Sequence, residues 1–431
     1  MSADQRPSAS RHAVTRRRFI AGASLLTAGG VAAGVAAGQA DSERRLRPLA
    51  PVALPAADRR LPARQFAWGA TLHTDEYGNT IAPSHDRLLM FDVIGRPTPA
   101  YARVLEAQLR KLESAFPWGP RGLLFTVAWG PAYFGLVGEH APIPTARALS
   151  DFELPAIDTY HLCLHMACDS DARLREVEAA LVSGTPLTAA GLDLSVASIL
   201  RWRETRTGFT GPGLPAAHQR VGGIPAGDPV STTAPLFMGF KSNLKRNQAT
   251  EDDVAIPDGP YADGTTMHVS YMRLRLDSWY RNLSQRGRVA RMYAPQVSPR
   301  QAAAFTTDAA SDPQLLNQAI RRYGVIGHAQ TSARARRNGR PIILRRDFNT
   351  VDGGQAGLHF VAVQRDIADF VATRTAMNAA SAQLENPAIG DTVNNGINEF
   401  IFVLKRANYM IPARAERSFP MLPGRRAALA A

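Results

Sequence analysis

A histidine and a pair of arginines lie in one short segment and have the side chains that redox chemistry on iron requires. His328 follows a turn of small residues, and Arg345 and Arg346 end a short apolar run at 342–344. Haem iron is commonly held by one neutral histidine. A fixed positive charge on its opposite face stabilises the negative charge that develops when peroxide is split. The segment therefore predicts a haem site; the alternative interpretation is a turn histidine beside a surface arginine cluster.

A second group of candidate ligands alternates along an apolar stretch. His161, Cys163 and His165 would share one face of a β-strand, at about 6.6 Å for every two residues. Such a row could form a soft metal site, but an ordinary strand with a hydrogen-bonded polar face is the favoured interpretation. A disulfide between Cys163 and Cys168 is not predicted. Five strand residues span about 16 Å, and a disulfide requires Cα atoms within about 7 Å.

Other classes of chemistry lack their motifs. The sequence has no nucleophile elbow, no glycine-rich phosphate loop and no HExxH pair. The acidic run Glu251–Asp253 does not have EF-hand spacing, which favours a solvated loop. The formal net charge of +13 would suit acidic partners. Aromatic residues interleaved with lysine are scarce, however, and no nucleic-acid motif occurs, so nucleic-acid binding is not predicted. No oligomeric state follows from the sequence.

The N-terminus has the pattern of an export signal. Arginines 16–18 precede a weakly apolar stretch, rich in Gly and Ala, that runs uncharged to Ala40. This pattern predicts a twin-arginine signal over residues 1–40, and small residues near Ala36–Ala40 suit a signal peptidase. The expected location is the periplasm, the extracellular space or the cell envelope. The alternative is an uncleaved anchor, which would give a weak membrane association. Residues 41–64, rich in Pro, Ala and Arg, are typical of a linker.

The rest of the chain shows one pattern of elements twice. We predict a first half over 65–225, a second half over 226–420 and a short tail over 421–431. Each half alternates strands with amphipathic helices, which predicts an α+β fold of duplicated ferredoxin-like domains with antiparallel sheets and outer helices. No residue-level repeat relates the halves. The predicted strands lie at 87–93, 122–128, 160–167, 198–206, 267–276, 357–364, 400–404 and 409–411.

Several of these segments together resemble the dye-decolourising peroxidase family, and they are spread over most of residues 85–412. The segment 235–241 (PLFMGFK) is similar to the family's glycine-centred distal loop, and 267–279 (MHVSYMRLRLDSW) to the strand after it. His328 matches the family's proximal haem ligand, and 343–346 (ILRR) matches the segment that supplies its distal arginine. Residues 129–131, 161–169, 293–295 and 357–366 are similar to further parts of the family pattern.

The resemblance implies a fold, a cofactor and a reaction. It implies two ferredoxin-like halves, with haem b held in the second half by His328 as the iron ligand. It places Arg345 in the distal catalytic role and puts Gly239 and Phe240 in the loop that contacts the cofactor. The expected partners are hydrogen peroxide and a small organic reductant. The twin-arginine signal suits the exported branch of this family.

The chain departs from the family in the distal loop. The family pattern Gly-x-x-Asp-Gly ends here in Ser242 and Asn243. A serine hydroxyl cannot accept and return a proton near neutral pH as a carboxylate does, so replacing Ser242 by Asp is expected to raise peroxide turnover. Three functions remain open: a haem peroxidase in which Arg345 acts with Ser242 or water, a haem-binding protein with weak or no turnover, and a haem-free interaction protein.

Two further expectations concern the surroundings of the haem. Gln330 replaces a basic residue that meets a haem propionate in the family, and an arginine at 334, 336 or 337 is expected to take that role. The ring of His328 is expected to donate a hydrogen bond from its second nitrogen, which raises the basicity of a metal-bound imidazole. The expected acceptor is a carboxylate or a carbonyl group; Asp366 and Asp277 are two candidates, and the sequence does not choose between them.

Overall fold

Two four-stranded antiparallel sheets, one from each half of the chain, account for most of the strands. In the computed structural model the strands are β1 (His85–Val93), β2 (Leu124–Trp129), β3 (Ala156–Ile157), β4 (Leu162–Cys168), β5 (Leu200–Phe209), β6 (Thr265–Leu274), β7 (Arg336–Arg337), β8 (Arg340–Pro341), β9 (Leu344–Arg345), β10 (Phe348–Thr350), β11 (Gly357–Gln364) and β12 (Ile401–Ile411). The structure describes residues 49–187, 191–242, 244–304, 315–378, 380–390 and 395–430. The twin-arginine segment and Asn243 lie outside these residues.

Both sheets have the strand order of a ferredoxin-like domain. The first runs β5–β1–β4–β2 and the second runs β12–β6–β11–β9. In each, the first and third strands of the half lie in the centre and the second and fourth lie at the edges. The predicted fold class, α+β with duplicated ferredoxin-like antiparallel sheets, is therefore confirmed.

The two sheets join at their edges into a closed ring. One seam is the pairing of Met410 in β12 with Trp129 in β2. At the other, β10 continues the course of β9 along β11 and pairs with β5 through Asn349 and Phe209. Residues Pro51–Ala431 form one compact unit, and the domain boundaries at 65–225 and 226–420 remain predictions.

The helices lie between and beside these strands, and their ends follow local rules. Ser170 accepts a hydrogen bond from the Arg173 amide at the start of one helix, and Gly184, with φ +67°, ends it. No helix of the described residues is long and apolar enough to cross a membrane. The α-helices are Pro99–Ala115, Pro131–Leu136, Asp171–Ser183, Leu214–Ala217, Glu251–Val254, Leu276–Arg281, Gln285–Met292, Pro299–Ala304, Leu315–Tyr323, His328–Ser332, Ile367–Asn378, Ala380–Glu385 and Arg425–Ala430.

The inside of the ring is an apolar core shared by both halves. Leu88 and Met90 of β1 pack there with Val269 of β6, Val361 of β11 and Tyr409 of β12. Because strand side chains alternate between the two faces of a sheet, the other face of β6, β11 and β12 points away from this core. That outer face forms one wall of the site.

Candidate functional site

A cavity at the second sheet has a volume of about 1200 Å³, part of which is open to solvent. Ser270, Met272 and Leu274 of β6 line it, while Met267 and Val269 of the same strand lie in the ring core. Residues of the helices His328–Ser332 and Ile367–Asn378 also line it. Its size is at the upper end for small-molecule and cofactor sites, and most of its lining is apolar.

His328 lines this cavity from the first position of its helix, and close backbone contacts fix that position. A Cβ on Gly327 would lie 1.8 Å from the carbonyl oxygen of Tyr293, so only glycine fits there. A Cβ on Gly396 would lie 3.0 Å from the Cα of His328. The Gln330 side chain accepts a hydrogen bond from the Gly327 amide at 3.0 Å. The histidine is therefore held by tight packing on two sides.

The electrostatics keep the His328 imidazole neutral. Burial lowers the pKa of His328 to about 3, and the positive charges of Arg345 and Arg374 add to the shift. A neutral imidazole is the form that binds a metal ion. The ring forms no hydrogen bond with Asp366 or Asp277 in the described part of the chain. Asp366 instead accepts from the Ala368 amide at 2.8 Å, and Asp277 is exposed in the first turn of the helix Leu276–Arg281, so neither is the partner of His328.

Arg345 lines the same cavity from β9, with a network of hydrogen bonds that fixes its guanidinium. Its Nη2 donates to the carbonyl oxygens of Ser242, at 2.6 Å, and of Asn247, at 3.5 Å. Its backbone amide donates to Oε1 of Gln248 at 2.9 Å, and the Gln248 amide donates back to the Arg345 carbonyl. Burial lowers the pKa of Arg345, but an arginine stays charged. The cavity thus holds a neutral imidazole and a fixed cation.

The loop before Ser242 has its own anchors. The carbonyl of Met238 accepts a hydrogen bond from Trp279 at 3.0 Å, and the Phe237 amide donates to Asn349 at 2.7 Å. Gly239 has φ +88°, a conformation that favours glycine, and shapes the turn without lining the cavity. Phe240 does line the cavity. The predicted cofactor contact is thus available to Phe240, and Gly239 acts through the backbone.

The sequence analysis missed one acid, Asp347. Its Oδ1 accepts a hydrogen bond from the Ser242 hydroxyl at 2.9 Å, and its carboxylate lines the cavity. Burial raises the pKa of Asp347, while Arg345 and the Ser242 hydrogen bond act in the opposite direction. A usable signal was present in the sequence, because residues two apart on a strand share a face, which puts Asp347 beside Arg345.

Further basic groups line the cavity, each in an ion pair. Lys241 pairs with Asp75 at 2.7 Å, and Arg406 binds both oxygens of Glu153 at 2.8 and 2.9 Å. Arg374 lies 3.8 Å from the same glutamate. This positive lining suits a ligand that carries carboxylates.

Two of the three arginines expected at the propionates, Arg336 and Arg337, have other partners, and Arg334 is exposed. Gln330 is fully buried and caps its own helix, and Arg337 forms an ion pair with Asp369 at 2.5 Å. Arg336 bonds carbonyl groups, including that of Ala333 at 2.9 Å. The basic side chains that line the cavity of His328 and Arg345 come from other segments.

The donor set of the cavity fits a haem. A neutral histidine is available for iron, an apolar wall for the macrocycle and basic side chains for carboxylates. The hydroxyl of Tyr293, which also lines the cavity, is buried with no hydrogen-bond partner among the described residues. Buried polar atoms are normally satisfied, so this hydroxyl is consistent with a ligand in the cavity.

The alternating residues of the 161–165 segment do not meet as metal ligands. His165 bonds Asp86 at 2.8 Å, while His161 precedes β4 and accepts from the Val93 amide at 2.9 Å. Cys163 and Cys168 are free and buried. No cluster of three or more potential metal ligands occurs in the described ranges. Of the three residues, His165 is hydrogen-bonded on the strand, and Cys163 packs in the apolar core of the ring.

Comparisons with known proteins show the fold. A family of unknown function, DUF7405, matches residues 83–413. A DyP-type peroxidase from Cellulomonas bogoriensis is similar with a TM-score of 0.54 at 20% identity, covering 80% of this chain and 95% of that one. Ferric DtpA from Streptomyces lividans is similar with a TM-score of 0.53 at 19% identity, over 80% and 94% of the two chains.

A third solved structure, a DypB variant from Rhodococcus jostii RHA1 in complex with heme, has a TM-score of 0.51 at 14% identity, over 82% and 98% of the two chains. No curated protein sequence matches this chain. The fold is that of the DyP-type peroxidases, as the sequence resemblance implied.

Proposed function

We propose that this chain, which belongs to the DUF7405 family, binds haem b and reduces hydrogen peroxide with electrons from a small organic reductant. The observation that carries the proposal is that His328, on a helix, and Arg345, on β9, line one cavity. Neither residue type alone is specific. A neutral imidazole and a fixed cation at one apolar cavity are the combination that peroxide reduction on haem requires.

The chain's residues divide the work between binding and charge stabilisation. His328 offers the neutral nitrogen that holds the iron, and the packing at Gly327 and Gly396 fixes its position. When bound, the haem iron supplies the redox centre between the reductant and the peroxide. Arg345 presents a positive charge where negative charge develops on the departing oxygen. Hydrogen bonds from its Nη2 to the Ser242 carbonyl and from its Nε to Oε1 of Gln248 hold that charge in place before reaction.

One observation favours a second candidate function, a haem-binding protein with weak or no turnover. Ser242 stands where the family pattern has its acid–base aspartate, and a hydroxyl does not exchange protons at neutral pH as a carboxylate does. In this alternative the cavity would serve to store, sense or transfer haem. A haem-free interaction protein on the same fold is the third candidate, and the buried Tyr293 hydroxyl in the cavity argues against it.

We also propose export by the twin-arginine route, to the periplasm, the extracellular space or the cell envelope. Arginines 16–18 and the weakly apolar stretch to Ala40 support this proposal. The route carries folded proteins, which suits a protein that acquires its cofactor before export. The organic reductant is proposed only as a class.

The test is an absorption spectrum of the full chain, expressed with an adequate haem supply. We expect a Soret band in the wild-type protein and its loss or sharp reduction in His328→Ala, because the iron loses its protein ligand. The control is His140→Ala, which removes an exposed histidine and should leave the band unchanged. Peroxide-dependent oxidation of a dye then separates turnover from binding alone. A wild-type protein without haem, or His328→Ala with full haem, would contradict the assignment.

A further inference from the structure

Among the described residues, Asp347 is the only carboxylic acid that lines the His328–Arg345 cavity. The residue is 7% exposed. Its Oδ1 accepts a hydrogen bond from the Ser242 hydroxyl at 2.9 Å. A buried acid that shares a cavity with a fixed cation is a feature of sites that move protons.

The course of the strands along β11 places Asp347 there. Leu344 and Arg345 in β9 pair with Val363 and Ala362, and Phe348 in β10 pairs with His359 in the same register. Between them the Arg346 amide donates to the Val361 carbonyl at 2.7 Å. Arg345 and Asp347 therefore share one face of this course, two residues apart. That face brings the Asp347 carboxylate against the loop that carries Ser242.

Asp347 also lines a second cavity. Together with Arg345 it lines this cavity of about 1120 Å³, part of which is open to solvent, along with Lys245, Glu251 and Arg346. The acid therefore borders both the His328–Arg345 cavity and a polar, solvent-connected space. Burial raises the pKa of Asp347, and such a shift brings a carboxyl closer to the range in which it exchanges protons at neutral pH.

We propose that Asp347 replaces the missing loop aspartate as the group that moves the proton of the peroxide, with Ser242 as its hydrogen-bond partner. This role rests on the proposed function. Reduction of one hydrogen peroxide breaks its O–O bond and gives two waters, and the two hydrogen atoms required come from the organic reductant. Within that balance the Asp347 carboxylate accepts a proton from one peroxide oxygen and donates it to the other oxygen, which leaves as water.

The test measures cyanide binding to the haem-loaded full chain. Hydrogen cyanide gives up its proton when it binds ferric haem, so its association rate reports a proton acceptor without turnover. Asp347→Asn preserves the shape and can still accept the Ser242 hydrogen bond, but it cannot take a proton. We expect it to keep the Soret band and to slow cyanide association at neutral pH by about 100-fold, the lower value for a positioned general base. The control is Asp193→Asn, at an exposed acid.

An exchange of the Ser242 and Asp347 side chains tests whether a carboxylate on either segment can accept the proton. Asp347→Ser alone should bind cyanide slowly. Ser242→Asp combined with Asp347→Ser returns the carboxylate to the cavity from the loop side and should recover the rate to within about tenfold of wild type. The exchange restores the hydrogen bond together with the carboxylate, and Asp347→Asn, which keeps the hydrogen bond but cannot take a proton, separates a structural role from proton transfer. If Asp347→Asn fails to take up haem, this exchanged pair decides: recovery supports the proposal, and a rate as slow as that of Asp347→Ser overturns it.

The remaining outcomes distinguish a failure of haem binding from a failure of the role of Asp347. A wild-type protein that takes up no haem would overturn the proposed function and, with it, the role of Asp347. Haem-loaded Asp347→Asn that binds cyanide as fast as wild type would overturn the role of Asp347 and leave haem binding standing.

Discussion

The contact between Ser242 and Asp347 makes a quantitative prediction for Ser242→Asp. The two side chains are already 2.9 Å apart, so a carboxylate at position 242 would lie on the order of 4 Å from that of Asp347. Two like charges at that distance repel by about 4 kcal/mol at an effective dielectric constant of about 20. This energy equals a pKa shift of about 3 units for one of the two acids.

The sign of the pH dependence follows from that shift. One acid of the pair keeps its proton in the folded protein at pH values where both acids ionise in the unfolded chain. The folded state then binds more protons than the unfolded state above about pH 4, so the free energy of unfolding falls as pH rises. Relative to wild type, the free energy of unfolding should be little changed at pH 4 and lower by about 4 kcal/mol near pH 8. The positive charge of Arg345 reduces this difference.

Urea unfolding of the full chain between pH 4 and pH 8 measures this loss. Ser242→Asn is the matched control, because asparagine has the size of aspartate without its charge. The double variant Ser242→Asp/Asp347→Asn should remove the pH dependence. Peroxide turnover of Ser242→Asp should not rise, which reverses the expectation from the sequence alone. An equal, pH-independent loss in Ser242→Asn and Ser242→Asp would refute the reasoning.

Three other changes have expected outcomes. Arg345→Leu should retain haem but react with peroxide about 100-fold more slowly in stopped-flow absorbance, because it removes a fixed stabilising charge. Gly327→Ala should weaken haem binding and lower the free energy of unfolding by about 1–3 kcal/mol, since its Cβ would lie 1.8 Å from the Tyr293 carbonyl oxygen. Changing Arg16 and Arg17 together to Lys should leave the protein in the cytoplasm, as fractionation would show.

Matched controls accompany these variants. Arg201→Leu removes an exposed arginine and should react as wild type. Gly135→Ala adds a Cβ with no atom within 4 Å and should not lower the stability. Arg6→Lys with Arg11→Lys lies outside the arginine triplet and should not affect export. Wild-type peroxide reactivity in Arg345→Leu would contradict the role of its charge. Unchanged haem affinity in Gly327→Ala would contradict the role of the close packing there. Export of the Arg16/Arg17 variant would contradict the twin-arginine signal.

Strand patterns predicted the sheets well, and charged residues caused the main error. The sequence suggests two short strands at 400–404 and 409–411, but the structure has a single strand, Ile401–Ile411. The middle of this strand can hold charged residues because each has a partner: Lys405 pairs with Glu204 at 2.8 Å, and Arg406 pairs with Glu153 at 2.8 Å. Partners this distant in sequence neutralise charges that local patterns treat as strand breaks.

The candidate site was predictable where a motif carried it and not where a contact between segments did. His328 and Arg345 followed from the resemblance, and both line one cavity. The Ser242–Asp347 hydrogen bond joins residues 105 positions apart. Strand alternation places Asp347 on the face of Arg345, but the sequence does not show that the loop of Ser242 packs against that face. The assumed His328 partners failed for a simpler reason, since Asp366 is used to begin a helix.

The seam at Asn349 links the candidate site to the far half of the molecule. Asn349 is fully buried; its side chain donates to the Phe209 carbonyl of β5 at 2.9 Å and accepts from the Phe237 amide at 2.7 Å. One amide thus fastens the loop of Ser242 to the place where the two sheets meet. A substitution in the first half that shifts β5 would displace this loop without touching the cavity. Reactivity at the site can therefore be tuned from a half that contributes none of the proposed reacting groups.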